Sequence, residues 1–329
     1  MTTEHPFAPL IRILGKGKNG SRSLTQQEAR DAFGMILRGE VEPEQLGAFL
    51  MLLRVKEESG EEIAGFVQAV RDSLQVPDNL KVDLDWSSYA GKRRHLPWFI
   101  LAVLALADSG IRIFMHGASG HTEGRLYTRE VFQALDLPIA LDWQSTTQQL
   151  DQHNLCYMDL EQLCPTLHRI IELRPILGLR SPVHTLSRQI NPLRAAATLQ
   201  SIFHPGYQLI HQQAEVLLNE AEMAVIKGDG GEVEVNPDSE CVVYKVEQGI
   251  ACEETWPAYF PRRHVKPDEL NIEQLKQVWS GDLMDEYALG AIHMTMAVAL
   301  KLLQRAQNQT DAIALAKQLW QQRNPDRWQ

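Results

Sequence analysis

Three apolar stripes at helical spacing fall within the first 75 residues, two of them opened by capping boxes, and they commit the chain to begin as a bundle of short helices. Thr25 is followed three residues later by Glu28, after which Ala29, Phe33, Ile36 and Leu37 recur on one face until Gly39. Pro43 suits a first helical turn, and Leu46, Phe49, Leu50 and Leu53 follow it. Ser59 with Glu62 repeats the capping signal ahead of Ile63, Phe66, Val67 and Val70. From about Val76 the pattern changes. Short runs rich in branched residues, Ile111 to Met115, Ile139 to Leu141, Ala224 to Lys227 and Cys241 to Val246, alternate with helical stretches. One such stretch, Leu96 to Ala107, begins its buried face at Trp98 and Phe99; others are Ile272 to Val278, Met284 to Arg305 and Asp311 to Gln322. The expected fold class is α/β: a small N-terminal helical-bundle domain over residues 1–75 and a larger α/β domain over 76–329.

A chain of 329 residues has room for two domains sharing a cleft. The longest apolar run, Leu96 to Asp108, is too short to span a bilayer, and Met1 to Pro9 lacks a basic start followed by an apolar core. The expectation is a cytoplasmic protein with no membrane partner. Cys156, Cys164, Cys241 and Cys252 lack paired spacing, so free and mostly buried thiols are expected. The eleven histidines show no ligand spacing for a protein-held metal.

The formal charge of -10 argues against a nucleic-acid partner until its distribution is considered. From Gln162 to Ile210 five arginines face one acid, and from Ser88 to Phe132 six basic residues face three acids. His211 to Phe260, by contrast, carries eleven acids against Lys227 and Lys245. Screening over about 8 Å lets a basic surface act independently of a distant acidic lobe.

Several dispersed motifs carry a family resemblance. Leu24 to Ala29, Gly39-Glu40, Gln45 to Leu50, Leu53 to Lys56 and Glu61 to Gly65 closely resemble the N-terminal helical domain of the anthranilate phosphoribosyltransferase and nucleoside phosphorylase family. His116-Gly117, Arg174 with Gly178, Arg180-Ser181, Asn191-Pro192 and His204-Pro205 resemble its α/β landmarks in the same order. The resemblance implies a central sheet, a helical domain rejoined by part of 165–200, a cleft between the domains, and a homodimer formed through the helical domain.

Enzymes of that family bind phosphoribosyl pyrophosphate on a glycine-rich loop, where small residues let backbone N–H groups reach phosphate. The matching stretch here is Ser87-Ser88-Tyr89-Ala90-Gly91, followed by Lys92-Arg93-Arg94. Leu96 to Phe99 stands where the enzymes carry an Asn-x-Ser-Thr element, Val233-Glu234 where they carry an Asp-Glu magnesium pair, and Met115 where a lysine precedes His-Gly. Beside these departures, Gly15-Lys16-Gly17-Lys18-Asn19, Ser88 to Arg93 and Arg180 to Leu186 resemble a divergent branch, the second-type anthranilate phosphoribosyltransferase-like proteins, some of which resemble nucleic-acid binders.

The implied function is binding of DNA or RNA without sequence preference, with no cofactor and no catalytic residue. Its candidate contacts are Lys16, Lys18, Arg22, Ser88, Tyr89, Gly91, Lys92, Arg93, Arg94, Arg174, Arg180 and Arg188, with Tyr89, and less readily Trp98, as stacking platforms. The alternative is a transferase or phosphorylase in which Glu234 coordinates Mg2+ with phosphoribosyl pyrophosphate and Arg174 holds the acceptor. Gly15 to Gly20 spells a dinucleotide fingerprint, but Leu10 to Leu14 before it reads as helix rather than strand, which excludes that site.

Overall fold

The structure, a computed structural model, describes residues 4–17, 19–120, 122–267 and 269–328. Four helices open it: α1 (Ala8–Gly15), α2 (Gln26–Leu37), α3 (Pro43–Lys56) and α4 (Gly60–Ser73). Both expected capping boxes form, Thr25 with Glu28 on α2 and Ser59 with Glu62 on α4, and Pro43 occupies the first turn of α3. Helices α2 and α4 pack closely because Gly65 has no side chain; a Cβ there would lie 2.7 Å from Ala29 Cβ and nearer still to the Gln26 carbonyl. Glu62 is fully buried and serves two helices at once, accepting from the backbone N–H of Leu24 and of Ser59 and pairing with Lys56 at 2.8 Å.

The larger part is built on a seven-stranded sheet in the order β3-β2-β1-β4-β5-β6-β7. The strands are β1 (Leu84–Ser88), β2 (Ile113–Gly117), β3 (Leu155–Asp159), β4 (Ala197–Ile202), β5 (Glu222–Lys227), β6 (Cys241–Glu247) and β7 (Ile250–Trp256). Strands β1 to β5 are parallel, and β6 and β7 are antiparallel additions at one edge. Two of the expected strand runs are realised nearly as read, in β2 and β6, and a third lies within β5. Ile139 to Leu141 is not a strand: only Ala140 bridges to Met158, on the outer side of the edge strand β3.

One face of the sheet is covered by α5 (Phe99–Asp108), α14 (Glu286–Leu302) and α15 (Gln309–Gln322). Helix α5 is buried from Phe99 to Ala107, as a helix apolar all round must be. Phe114, Cys156 and Met158 on the other face join the core of the helical bundle. Val183 and Leu186 of α11 (Val183–Leu186), with Ile190 beyond it, belong to that core as well. Strands β1 and β4 break the apolar rule. Their Leu84, Trp86, Ala197 and Leu199 face α5 and α14, whereas Asp85, Ser87, Thr198 and Gln200 are buried polar residues.

Strand order reverses between β1 and β4, since successive strands run outward from β1 on one side and from β4 on the other. In open α/β sheets this switch point opens a crevice at the carboxyl ends of the strands. The loops that follow Ser88, Gly117, Ile202 and Lys227 all emerge at that edge.

Candidate functional site

The loop after β1 is held by an internal carboxylate. Glu232, from the loop after β5, accepts hydrogen bonds from the backbone N–H of Ala90 at 2.6 Å and of Gly91 at 2.5 Å, and from Ser88 Oγ at 2.7 Å. Gly91 adopts φ 68°, which glycine tolerates readily. Ser88 Oγ also lies 2.6 Å from Thr128 Oγ1, and Arg125 Nη1 donates to the carbonyls of Ala90, Gly91 and Gly230. Burial pushes the Glu232 carboxyl above its usual range, and the hydroxyl and N–H donors oppose that shift.

The basic triplet is divided by the fold. A backbone bridge between Lys92 and Leu126 turns the Lys92 side chain inward. Its ammonium is 0% exposed, 2.5 Å from Glu234 and in direct contact with Asp229. Burial alone would lower the lysine, but Glu234 and Asp229 hold it above its usual range. Burial pushes Glu234 up to about 7 against the pull of Lys92. Arg93 and Arg94 remain exposed.

Several expected contacts are therefore corrected. Lys92 is a structural cation committed to two carboxylates, not a free phosphate contact. Tyr89 is 2% exposed, its Oη lies 2.7 Å from His116 Nδ1, and it offers no stacking face; Trp98 is buried too. Ser88 and the Gly91 N–H are committed to Glu232. Arg22 pairs with Glu28 at 2.6 Å, and with Lys16 it lines a separate recess beside α1. Lys18 lies outside the described residues. Glu234 does not suit a metal: its Oε1 meets Lys92, its Oε2 accepts from the N–H of Phe99 at 2.9 Å, and it is fully buried. Nor is the acidic segment remote from the basic one, since Asp229, Glu232 and Glu234 fold directly onto the loop after β1.

The arginines do converge. Arg174 Nη1 and Arg180 Nη2 each donate to Thr122 Oγ1 at 2.9 Å. Arg180 and Arg188 line a recess between the helical bundle and the end of β4, together with Arg54 from α3. Burial, and then Arg174 and Arg125, pull the Arg180 guanidinium below its usual range; burial brings Arg188 down to about 10. Glu232 opposes the effect of burial at Arg188, whereas the arginine neighbours of Arg180 add to it. Glu58 is the one acid among the described residues lining the recess. Arg54, Arg125, Phe203 and Tyr207 escaped sequence reading. An exposed aromatic immediately after β4, Phe203, followed by His204-Pro205-Gly206, was the available signal.

Beneath the recess, Gln200 links His211 Nδ1, 2.7 Å from its Oε1, to Glu215, and all three residues are buried. Burial and then Glu220 push Glu215 up to about 8, while burial brings His211 down to about 3. Relative to ordinary values of about 4.3 and 6.5 in the unfolded chain, the two groups act oppositely. The folded state binds the extra proton on Glu215, so stability falls as pH rises from about 4.3 through 8. It excludes a proton from His211, so stability grows as pH rises from about 3 to 6.5. Glu215→Gln will be close to neutral at pH 4 and will stabilise at pH 8.5, changing the slope by up to about 1.4 kcal/mol per pH unit. Urea unfolding at the two pH values checks this, and a pH-independent difference contradicts it.

Helical bundle, mixed sheet and arginine-lined crevice together define a phosphoribosyltransferase-like scaffold. Residues 8–74 match the glycosyl transferase family, helical bundle domain. The protein YbiB of Escherichia coli (strain K12) is 29% identical over 237 residues, 70% of this chain and 73% of that one. An anthranilate phosphoribosyltransferase of Actinobacillus pleuropneumoniae serotype 7 is 27% identical over 232 residues, 70% of this chain and 69% of its own. The crystal structure of anthranilate phosphoribosyltransferase from Thermus thermophilus superposes with a TM-score of 0.77 at 18% identity, covering 96% of this chain and 94% of that one. The helical bundle thus matches the bundle domain of the glycosyl transferase family, and over nearly its whole length the chain is similar in fold to anthranilate phosphoribosyltransferase. Among the described residues no helix is long and apolar enough to cross a membrane.

Proposed function

We propose that this protein binds nucleic acid without sequence preference, through phosphate contacts along the arginine-lined crevice, on a scaffold whose phosphate loop has been closed. The observation that carries the reading is the gathering of Arg54, Arg125, Arg174, Arg180 and Arg188 at one edge of the sheet, with Glu58 as the single acid among the described residues of the recess. A ligand there must be anionic. Exposed Arg93 and Arg94 extend the positive surface from the loop after β1, and Phe203, 52% exposed, supplies the stacking face expected earlier of Tyr89.

The closed loop supports a binder over a transferase. Backbone N–H groups of the kind that cradle a diphosphate are occupied by Glu232, and the Glu234 carboxylate is engaged by Lys92 and α5. Calorimetry with phosphoribosyl pyrophosphate and Mg2+ is expected to give no heat of binding; a saturable heat favours the transferase.

Binding itself is tested with the double variant Arg93→Ala, Arg94→Ala. It will weaken two unrelated sequences equally and lower the slope of log affinity against log salt by up to about 1.4 for single strands, from about 0.7 per phosphate contact. Unequal losses contradict sequence-independent binding, and an unchanged slope removes these arginines from the site.

A further inference from the structure

The recess at the inner end of the crevice is more specific than a backbone groove needs to be. Its volume is about 120 Å³. That is ample room for a phosphoryl group. Arg180 and Arg188, on either side of α11, line it together with Arg54 from α3. Two buried polar atoms on its lining residues have no hydrogen-bond partner among the described residues: Ser181 Oγ, in a residue 5% exposed, and His211 Nε2, in a residue 0% exposed. A polar atom buried without a partner costs about 1–3 kcal/mol, so each is a position that a water or a ligand group completes.

The chemistry of that group follows from these residues. Three guanidiniums select an oxyanion. Ser181 can donate to it. His211 donates through Nδ1 to Gln200 Oε1 and burial keeps its ring neutral, so Nε2 is a bare acceptor. A phosphodiester carries no proton to give such an acceptor. A phosphomonoester, with a second pKa near 6, presents either a P–OH donor for His211 or a second charge for the arginines. The carboxylate of Glu58 does not face the anion alone: Tyr207 Oη lies 3.4 Å from its Oε2, and Arg54 donates to the same Tyr207 Oη at 3.0 Å. At the mouth stands Phe203, edge-on to His204 with ring centroids 5.0 Å apart, where a terminal base can stack.

We infer that this recess receives the phosphomonoester end of a nucleic-acid strand, so that the protein distinguishes phosphorylated ends from hydroxyl ends. The inference rests on the proposed nucleic-acid reading and narrows it.

The test uses the full chain and three labelled single strands of one mixed sequence, carrying a 5′-phosphate, a 3′-phosphate or two hydroxyl ends, compared by fluorescence anisotropy at fixed salt. At least one phosphorylated strand is expected to bind about tenfold tighter than the hydroxyl strand. Arg188→Gln should bring that ratio to within about twofold, whatever its effect on affinity as a whole. Arg180→Gln serves the same purpose if the first variant does not fold. Equal affinities for all three strands overturn the inference and leave the groove intact. If no strand binds, the groove reading fails, and calorimetry with adenosine monophosphate decides the recess: saturable binding assigns it to free mononucleotides, and absence of heat removes it as a phosphomonoester site. A mononucleotide that competes as tightly as the phosphorylated strand also moves the assignment from strand ends to free nucleotides.

Discussion

Lys92→Met is expected to cost about 3–5 kcal/mol of folding stability at pH 7.5, the loss typical when one partner of a buried ion pair is removed. The ammonium is fully enclosed between Asp229 and Glu234, so its loss strands two carboxylates near the start of α5. One of them is already poised to take a proton, since burial holds Glu234 at about 7 even beside the lysine. The penalty should accordingly shrink at pH 5.5, where Glu234 protonates readily in the variant. Urea unfolding at both pH values measures it; a loss under about 1 kcal/mol at pH 7.5 contradicts the buried pair. Arg93→Ala and Arg94→Ala, on exposed positions, should each stay within about 0.5 kcal/mol of the parent. Three adjacent basic residues thus divide into one that holds the fold and two available to a ligand.

Glu232→Ala is the second large effect. It removes the acceptor of two backbone N–H groups and one hydroxyl, all buried, at about 1–3 kcal/mol for each donor left without a partner. A total of about 3 kcal/mol is expected, because Ser88 can turn fully to Thr128 and recover part of its bonding. Glu232→Gln keeps an acceptor oxygen for the N–H groups and should lose only about 1 kcal/mol. Thermal unfolding of the pair separates a carboxylate that organises the loop from one that merely sits beside it. Equal melting temperatures for the alanine variant and the parent contradict the organising role.

The helical bundle was legible because each signal was local: a cap, three residues, then a stripe repeating at 3.6. Thr25 with Glu28 and Ser59 with Glu62 needed no distant partner to be recognised. Strands β1 and β4 were harder to see, since Asp85, Ser87, Thr198 and Gln200 place polar side chains in the interior where a buried strand usually carries branched apolar ones. Ile139 to Leu141 had the right composition, but only Ala140 pairs with the edge strand β3, and composition cannot report how many residues of a run find a partner.

The site shows the same division. The charge of Arg174, Arg180 and Arg188 was visible as an excess of arginine over a single nearby acid, Glu172. The fate of Lys92 and Tyr89 was not, because Asp229, Glu234 and His116 lie far along the chain and only the crossover connections bring them together. For the same reason a segment with eleven acids reads as a separate lobe while three of its carboxylates neutralise and tie down the loop after β1.

Whether the crevice holds a nucleic-acid backbone by its phosphates is decided by titrating a labelled mixed-sequence single strand with the unmodified protein at several salt concentrations. Such a crevice gives saturable binding whose log affinity falls linearly with log salt, at about 0.7 per phosphate neutralised and therefore with a slope of roughly -2 to -4 for three to five arginine contacts. No binding at about 50 mM salt, or an affinity indifferent to salt, contradicts it.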